Sequence, residues 1–209
     1  MKIAVVCANG KVGKLVVKEA SDRGHEVTAV VRGENKSAAK KSIIRDILEI
    51  TPEDLKGFDV VVDAFGTFTP ETLPLHSKSL KHLCDVLSGS DSLLLIVGGA
   101  GSLYMDKTHT TQLFNTPDFP KEYIPLAKAQ GKALAELRER KDVKWTFVSP
   151  AAVFLPEGER TGKYVLNGEE FAVNDKGESV ISYADYAIAM VDEAEKKNHV
   201  GERISVNGI

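Results

Sequence analysis

The residue types best suited to chemistry lie in a glycine-bearing turn near the start of the chain. Gly10 and Gly13 follow the apolar run at residues 3–6 and open a helical pattern. The first turn of a helix presents free backbone N–H groups and the positive end of the helix dipole, and both attract phosphate. Gly10 allows a phosphate group to approach closely, and Gly13 lets helix and strand pack together. The spacing predicts a dinucleotide-binding turn, with Ala8, Asn9, Gly10, Lys11, Val12 and Gly13 as candidate cofactor-binding residues.

The match to the dinucleotide fingerprint is partial, because Cys7 stands where the first glycine is expected. A phosphate-free turn of an α/β domain is therefore the alternative interpretation. A thiol near a helix N-terminus can have a lowered pKa and respond to oxidation. A cysteine at the end of a strand is also a common small apolar filler. Both interpretations of Cys7 stay open at the level of sequence.

Arg32 ends the second apolar run, residues 27–31, about twenty residues after the glycine turn begins. Sites that prefer NAD usually carry Asp or Glu here, bound to the ribose hydroxyls, whereas Arg pairs with the 2′-phosphate of NADP. Arg32 therefore predicts a preference for NADP(H) over NAD(H). Glu34 follows closely and favours the alternative, a solvated arginine in a loop.

The elements that position these residues alternate between strand and helix patterns. Apolar runs separated by helical stretches are typical of a parallel sheet covered on both faces. We therefore predict an α/β fold, a Rossmann-like doubly wound parallel sheet with helices on both faces and a small C-terminal extension. The length suits a single domain, residues 1–209, in which residues 150–180 form a small lobe on the substrate side. The predicted strands are residues 3–6, 27–31, 42–45, 59–64, 92–97, 143–148 and 203–206, and the predicted long helices are residues 75–87, 125–140 and 182–196.

Smaller features complete the predicted elements. Residues 37–41 and the stretch from Thr51 read as short helices. Residues 164–166 and 171–173 are predicted to pair as a hairpin in the lobe. Ser182, with an acid three residues later, has the pattern of a capping box at the start of the last helix.

Ligands of doubly wound sheets bind outside the carboxyl ends of the strands. Glycines follow three of the predicted strands, at Gly10, Gly66 and Gly98, so these strand ends indicate one shared site. The further candidate cofactor-binding residues at strand ends are Asp46, Ala64, Phe65, Gly66, Gly98, Gly99, Ala100, Ser149 and Pro150.

Composition and charge exclude several classes of function. A net charge of −3 gives no basic field to attract nucleic acid or an anionic membrane. No apolar run approaches the roughly 20 residues that span a bilayer, and the first residues read as a strand rather than a signal peptide. Cys7 and Cys84 form neither a disulfide framework nor a metal cluster. We expect a cytoplasmic protein without a metal site, monomeric or a small homo-oligomer, that acts on a small molecule.

Residues 104–120 form a long irregular stretch, and loops of this length often line a site. His109 in this stretch is an acid–base candidate. A solvated loop histidine is the alternative.

Six segments carry a resemblance to a known family, and together they cover nearly the whole chain. The chain resembles the atypical short-chain dehydrogenase/reductase group. This group includes NmrA-like proteins, biliverdin reductase B-like proteins and proteins described as NADH-flavin reductases, and the likeness is closest to the last. The segments are the N-terminal turn, residues 97–103, residues 116–120 with Tyr123, and residues 145–151, 158–164 and 181–187.

The resemblance implies a Rossmann fold that binds NAD(P)H across Gly10, Gly13 and Arg32. It also implies that residues 98–102 line the nicotinamide side. Ser149 and the proline after it would then lie near the nicotinamide.

One departure from the family pattern concerns the proton donor. The Tyr-x-x-x-Lys pair of short-chain dehydrogenases needs both residues on one helix face. Four residues after Tyr123 stands Ala127, Lys128 comes one residue late, and Pro125 places the tyrosine before the helix. The usual pair is therefore absent, which favours hydride transfer to an acceptor that needs little acid catalysis.

We expect an NAD(P)H-dependent reductase of a small planar acceptor such as a flavin or quinone. Tyr123 and Ser149 are its candidate catalytic residues, and a flavin is a candidate substrate. The alternative is a non-catalytic, NAD(P)-sensing regulatory protein, as some NmrA-like members are. An epimerase-like enzyme is a third interpretation, but the region after Ser149 leaves little material for a large substrate domain.

Overall fold

The computed structural model describes all residues from Met1 to Ile209. None of its helices is long and apolar enough to cross a bilayer. The helices are α1 (Lys11–Asp22), α2 (Leu75–Val86), α3 (Ile124–Arg138) and α4 (Tyr183–Lys196). The strands are β1 (Lys2–Val6), β2 (Glu26–Val31), β3 (Lys41–Ile44), β4 (Val60–Asp63), β5 (Leu93–Val97), β6 (Lys144–Pro150), β7 (Val153–Leu155), β8 (Val165–Asn167), β9 (Val180–Ser182) and β10 (Glu202–Asn207).

Eight of the strands form one sheet in the order β3-β2-β1-β4-β5-β6-β10-β8. Neighbouring strands are parallel except for β10 and β8, which run antiparallel. Because β1 pairs with β2 on one side and β4 on the other, the strand order reverses beside β1. A crevice opens at the carboxyl ends of the strands at such a reversal, and doubly wound proteins bind ligands there.

Helices cover both faces of this sheet. Helices α1 and α4 pack together over one face, and α2 and α3 pack over the other. Along β1, Ile3 and Val5 belong to the first core, whereas Ala4 and Val6 belong to the second, as the two-residue period of a strand requires. Burial on both faces explains why the strands are continuous apolar runs. The predicted Rossmann-like α/β fold is confirmed.

The segment after β6 contributes to two sheets. Strands β7 and β9 form a small parallel pair, and β8 joins the main sheet beside β10. The predicted hairpin of residues 164–166 and 171–173 is wrong, because residues 171–173 form no strand. The edge of β10 offers β8 a ladder of backbone partners, in which Asn167 pairs with Ser205.

The predicted helix at residues 37–41 is also wrong. Residues 37–40 are irregular, and β3 begins at residue 41. The Asn35 side chain accepts hydrogen bonds from the N–H of Ser37 at 2.9 Å and from its hydroxyl at 2.7 Å. Such local bonds give the backbone an alternative to the helix.

The two predicted helix starts have opposite outcomes. From Thr51 the chain forms successive turns without a helix, and the Thr51 N–H donates to the Asp54 carboxylate at 2.9 Å. At α4, the Ser182 hydroxyl accepts the N–H of Asp185 at 3.0 Å, as predicted. The Asp185 carboxylate binds a loop residue, Thr161, rather than closing the box.

Candidate functional site

The turn between β1 and α1 lies at the carboxyl edge of the sheet and is closed by backbone hydrogen bonds. The Gly10 N–H donates to the Cys7 carbonyl at 2.9 Å, and the Lys14 N–H donates to the Gly10 carbonyl at 2.9 Å. Gly10 is the residue before the helix, and no side chain caps α1. The N–H groups of residues 11–13 consequently have no hydrogen-bond partner within the chain. A helix start with three free N–H groups fits a phosphate group.

Cys7 has a left-handed backbone conformation, with φ at 59°. Residues other than glycine rarely adopt it, so Cys7 supplies the backbone geometry for which the fingerprint usually uses glycine. Gly13 is required by packing, because a Cβ there would lie 2.7 Å from the Cys7 carbonyl oxygen and 3.0 Å from the Ala8 Cα. The turn therefore keeps a dinucleotide-binding shape despite the missing first glycine.

The Cys7 thiol is half-buried. Burial raises its pKa to about 12, and the nearby charge of Asp63 acts in the same direction. A raised pKa disfavours the thiolate, which is the reactive form. Cys7 therefore acts as a small apolar side chain, and the low-pKa basis for oxidation sensing is absent.

Asn9 connects this turn to the loop between β2 and β3. Its Nδ2 donates to the Glu34 carbonyl at 2.8 Å, and its Oδ1 accepts the Lys36 N–H at 2.7 Å. Arg32 begins this loop at the end of β2, is exposed, and forms no ion pair or hydrogen bond within the chain. A cation without a partner thus stands one strand away from the uncapped start of α1.

The ends of β3 and β4 bring further predicted residues to the same edge. Asp46 follows β3, and its carboxylate caps the short 3₁₀ turn after it at 3.0 Å. The Ala64 N–H donates to the Val6 carbonyl at 3.2 Å, which ties the end of β4 to β1. Phe65 is half-buried, and Gly66 has open space around it. Packing therefore does not demand a glycine at position 66.

Asp63, which the sequence analysis did not select, is a buried carboxyl group at the end of β4. It is 4% exposed, accepts the Phe65 N–H at 3.0 Å and has no cationic partner. Burial raises its pKa to about 6. With His76 and Gln130 it lines a cavity of about 20 Å³ between β4, β5, α2 and α3. The sequence signal for Asp63 was its position as an acidic residue directly after three valines.

Neighbouring side chains leave no room for a Cβ at two positions of the turn after β5. A Cβ at Gly98 would overlap the ring of Phe147, and a Cβ at Gly99 would overlap the carboxamide of Gln130. Ala100 is half-buried in the same turn. Close packing against β6 and α3 therefore explains these two glycines. The sequence analysis did not select Gln130 either. The sequence signal for this residue was a polar side chain on the otherwise apolar face of α3.

The two predicted catalytic hydroxyls have contrasting surroundings. Ser149 and Pro150 end β6 beside this turn, where the Gly98 N–H donates to the Val148 carbonyl at 2.8 Å. Ser149 is completely buried, and its hydroxyl has no hydrogen-bond partner. Tyr123 is 54% exposed and precedes α3. No hydrogen bond joins these two hydroxyls.

His109 is held in place rather than freely solvated. Its ring stacks on Tyr104, with ring centroids 4.4 Å apart, and its Nε2 lies 2.8 Å from the Glu170 carboxylate. The guanidinium of Arg203 lies 5.6 Å from the centre of the Tyr104 ring. His109 thus connects the loop after β5 to the segment between β8 and β9.

The strand order, the uncapped helix start and the close-packed Gly13 together define a Rossmann-type dinucleotide-binding protein. The residues present fit a dinucleotide, because free N–H groups and an unpaired arginine lie at the carboxyl ends of the strands, and both kinds of group can hold phosphate. The chain belongs to the NAD(P)H-binding family, whose model matches residues 7–197.

Relatives of known sequence or structure are similar over their full lengths. YwnB of Bacillus subtilis (strain 168), an uncharacterized protein, is 48% identical over 99% of this chain and 98% of its own. A structure from Streptococcus pneumoniae TIGR4, provisionally described as an NADH-flavin reductase, is 57% identical with a TM-score of 0.98 and covers 100% of both chains. A structure from Bacteroides thetaiotaomicron, provisionally described as an epimerase, is 35% identical with a TM-score of 0.84, over 100% of this chain and 97% of that one.

Proposed function

We propose that the protein is a reductase that prefers NADPH and transfers hydride to a small planar acceptor such as a flavin or quinone. The observation that carries the proposal is the pairing of free N–H groups at residues 11–13 with the unpartnered Arg32. The first group suits a pyrophosphate, and the second supplies the charge that a 2′-phosphate needs. Asn9 supports this arrangement, because it fixes the loop that Arg32 begins.

The chemistry follows from the residues at the edge of the sheet. When bound, the nicotinamide supplies a hydride, so NADPH becomes NADP⁺ while the acceptor gains two electrons. No tyrosine–lysine pair follows β5, so we assign any further proton that the acceptor gains to the solvent. The chain contributes binding and face-to-face orientation of two planar rings. The description of the Streptococcus pneumoniae relative supports a flavin as the acceptor.

Fluorescence titration with NADPH and NADH tests the cofactor preference. We expect the wild-type protein to bind NADPH at least about tenfold more tightly, and Arg32→Ala to remove most of this difference without changing NADH binding. Arg45→Ala is the matched control, because Arg45 is also exposed but pairs with Asp54 at 3.2 Å. Equal affinity of the wild-type protein for both cofactors would contradict the preference.

An acceptor screen tests the reductase activity. Oxidation of NADPH is followed at 340 nm with FMN, FAD and soluble quinones at saturating cofactor. Turnover with at least one planar acceptor is expected. Inactivity with all of them, despite tight NADPH binding, would reject the reductase.

A cofactor-sensing regulatory protein is the second candidate. It is favoured by the buried hydroxyl of Ser149 and the exposed position of Tyr123, which leave the edge without an acid–base pair. Such a protein binds NADP(H) tightly and turns over none of the acceptors. The acceptor screen therefore separates the two candidates.

A further inference from the structure

A polar hollow lies at the amino ends of β1, β2 and β3, at the edge of the sheet opposite the turn between β1 and α1. Its volume is about 490 Å³, which is within the range of small-molecule sites. Between β3 and β4 the chain forms a short 3₁₀ helix and turns instead of an α-helix, and residues 56–58 of this segment line one side of the hollow. Strand β1 is about 13 Å long, so the hollow is separate from the turn that follows β1.

Thr28 is a nearly buried polar residue that lines this hollow. Its neighbours in β2, Val27 and Ala29, belong to the first core, so the alternation of the strand places Thr28 on the opposite face. Thr28 is 6% exposed, and its hydroxyl forms no hydrogen bond within the chain. Ser42 of β3 also lines the hollow, and its hydroxyl has no partner either. A polar group at this depth calls for a hydrogen-bonding partner, so the hollow has the character of a binding site.

The charge around the hollow is mainly positive. Three lysines and one carboxylate line it, namely Lys2, Lys41, Lys56 and Glu26. Lys41 pairs with Glu26 at 2.6 Å, and this hydrogen bond lowers the pKa of Glu26, with a smaller contribution from the charge of Lys2. Lys2 bonds a carboxylate only through its backbone N–H, to Asp59 at 2.7 Å. Lys56 reaches only an exposed glutamate three residues earlier, at 3.5 Å. One carboxylate in the lining thus offsets only one of the three ammonium groups.

We propose that this hollow binds the phosphoryl group of a small phosphorylated molecule, at a site distinct from the dinucleotide site. The ammonium groups supply the charge that a phosphate dianion needs, and lysine is a common phosphate ligand. The hydroxyls of Thr28 and Ser42 can each donate a hydrogen bond to a phosphoryl oxygen. The volume also leaves room for the remainder of a small molecule beside the phosphate.

Isothermal titration calorimetry with pyrophosphate, in low-salt buffer without Mg²⁺, tests the inference. Pyrophosphate is the probe because it carries phosphoryl oxygens and no other binding group. The titration is made with NADP⁺ at saturating concentration, which occupies the proposed dinucleotide site. We expect one pyrophosphate to bind per chain under these conditions. Absence of binding, or binding that NADP⁺ abolishes, would overturn the inference.

Three variants locate the bound pyrophosphate. Thr28→Val keeps the shape and charge of the hollow but removes the buried hydroxyl, and we expect the dissociation constant to rise about tenfold. Lys56→Met removes one ammonium group and should raise it several-fold. Lys144→Met is the matched control, because Lys144 begins β6 at the same edge of the sheet but pairs with Asp91 at 2.7 Å, away from the hollow.

The variants separate a built site from general attraction of an anion to lysines. Unchanged affinity in Thr28→Val, or equal losses in Lys56→Met and Lys144→Met, would overturn the inference. Valine suits a strand, so Thr28→Val should keep the wild-type melting temperature, which shows that a loss of binding is not a loss of fold. If the wild-type protein fails to bind NADP⁺, the proposed function fails, whereas the pattern among these variants still decides whether pyrophosphate binds in the hollow.

Discussion

The guanidinium of Arg203 in β10 donates through Nε to the carboxylate of Glu169 at 2.7 Å, although the Arg203 side chain has no exposure to solvent. Arg138 of α3 donates to the same carboxylate at 2.6 and 2.8 Å. Arg203 also donates to the Ser102 hydroxyl at 3.1 Å. Burial lowers the pKa of Arg203, and the charge of Glu169 opposes this effect. The Glu169 carboxylate therefore bridges β10 and α3, and Arg203 links this pair to the turn after β5.

Replacing this carboxylate should destabilise the fold. We expect Glu169→Ala to lower the free energy of unfolding by about 3 kcal/mol, because it leaves a buried guanidinium without its counter-charge. Urea denaturation followed by circular dichroism measures the change. Glu170→Ala is the matched control, since its exposed carboxylate pairs only with His109, and its denaturation midpoint should stay close to wild type. Similar losses in both variants would contradict the central role of Glu169.

Gly13→Ala should damage both the fold and cofactor binding. The added Cβ would press on the Cys7 carbonyl oxygen and the Ala8 backbone, at a cost of about 1–3 kcal/mol. The shifted helix start should also weaken NADPH binding in a fluorescence titration. Gly168→Ala is the control, because its Cβ would make only an ordinary contact, 3.7 Å from a Glu170 oxygen. A Gly13→Ala protein with wild-type stability and affinity would rule out this explanation of the turn.

Asp63 should make stability depend on pH in the acid range. Its pKa is about 6 in the folded protein against an ordinary value of 3.8. Between these values the folded state retains a proton that the unfolded state has lost, so stability falls as pH rises from about 4 to about 6. A shift of about two units corresponds to about 3 kcal/mol.

Asp63→Asn should remove this pH dependence. The amide oxygen can still accept the Phe65 N–H, and the variant carries no charge to bury. We expect it to be more stable than wild type at pH 7 and about equally stable at pH 4, as measured by urea denaturation at each pH. The same stability difference at both pH values would show that the ionisation of Asp63 is not the cause.

Asn9→Ala should weaken the preference for NADPH. Loss of its two bonds releases the backbone of residues 34–36, and with it the loop that carries Arg32. We expect the NADPH dissociation constant to rise several-fold more than that for NADH. Asn174→Ala is the control, because the Asn174 side chain also makes two hydrogen bonds to backbone groups, the N–H of Lys176 and that of Glu178, but in the segment between β8 and β9. Equal losses of affinity for both cofactors would argue against this role of Asn9.

The sequence predicted the features that depend on interactions between residues close together in the chain. The apolar runs indicated the strands of the doubly wound sheet, because both of its faces are buried. Ser182 indicated its helix start, because a cap depends only on a neighbouring N–H. Gly10 and Gly13 indicated the helix turn for the same reason. Thr51 has similar local signals, yet no apolar helix face follows it to pack on the sheet, and the segment stays a series of turns.

The features of the candidate site that the sequence did not predict depend on contacts between distant segments of the chain. Asp63 and Gln130 share a cavity only because β4 and α3 meet at the same edge. Nothing adjacent to either residue in the chain reveals this. The left-handed backbone of Cys7 was hidden as well, because the residue type argues against that conformation.

The two outer strands of the main sheet are short. β3 spans four residues and includes the exposed Lys41, and β8 spans three. An exposed strand edge is a template on which another chain can pair and aggregate, and short edges with lysine oppose this. A polypeptide that adds itself to either edge would gain only three or four residues of pairing. The architecture that buries the apolar strands therefore also limits growth of the sheet from one molecule to the next.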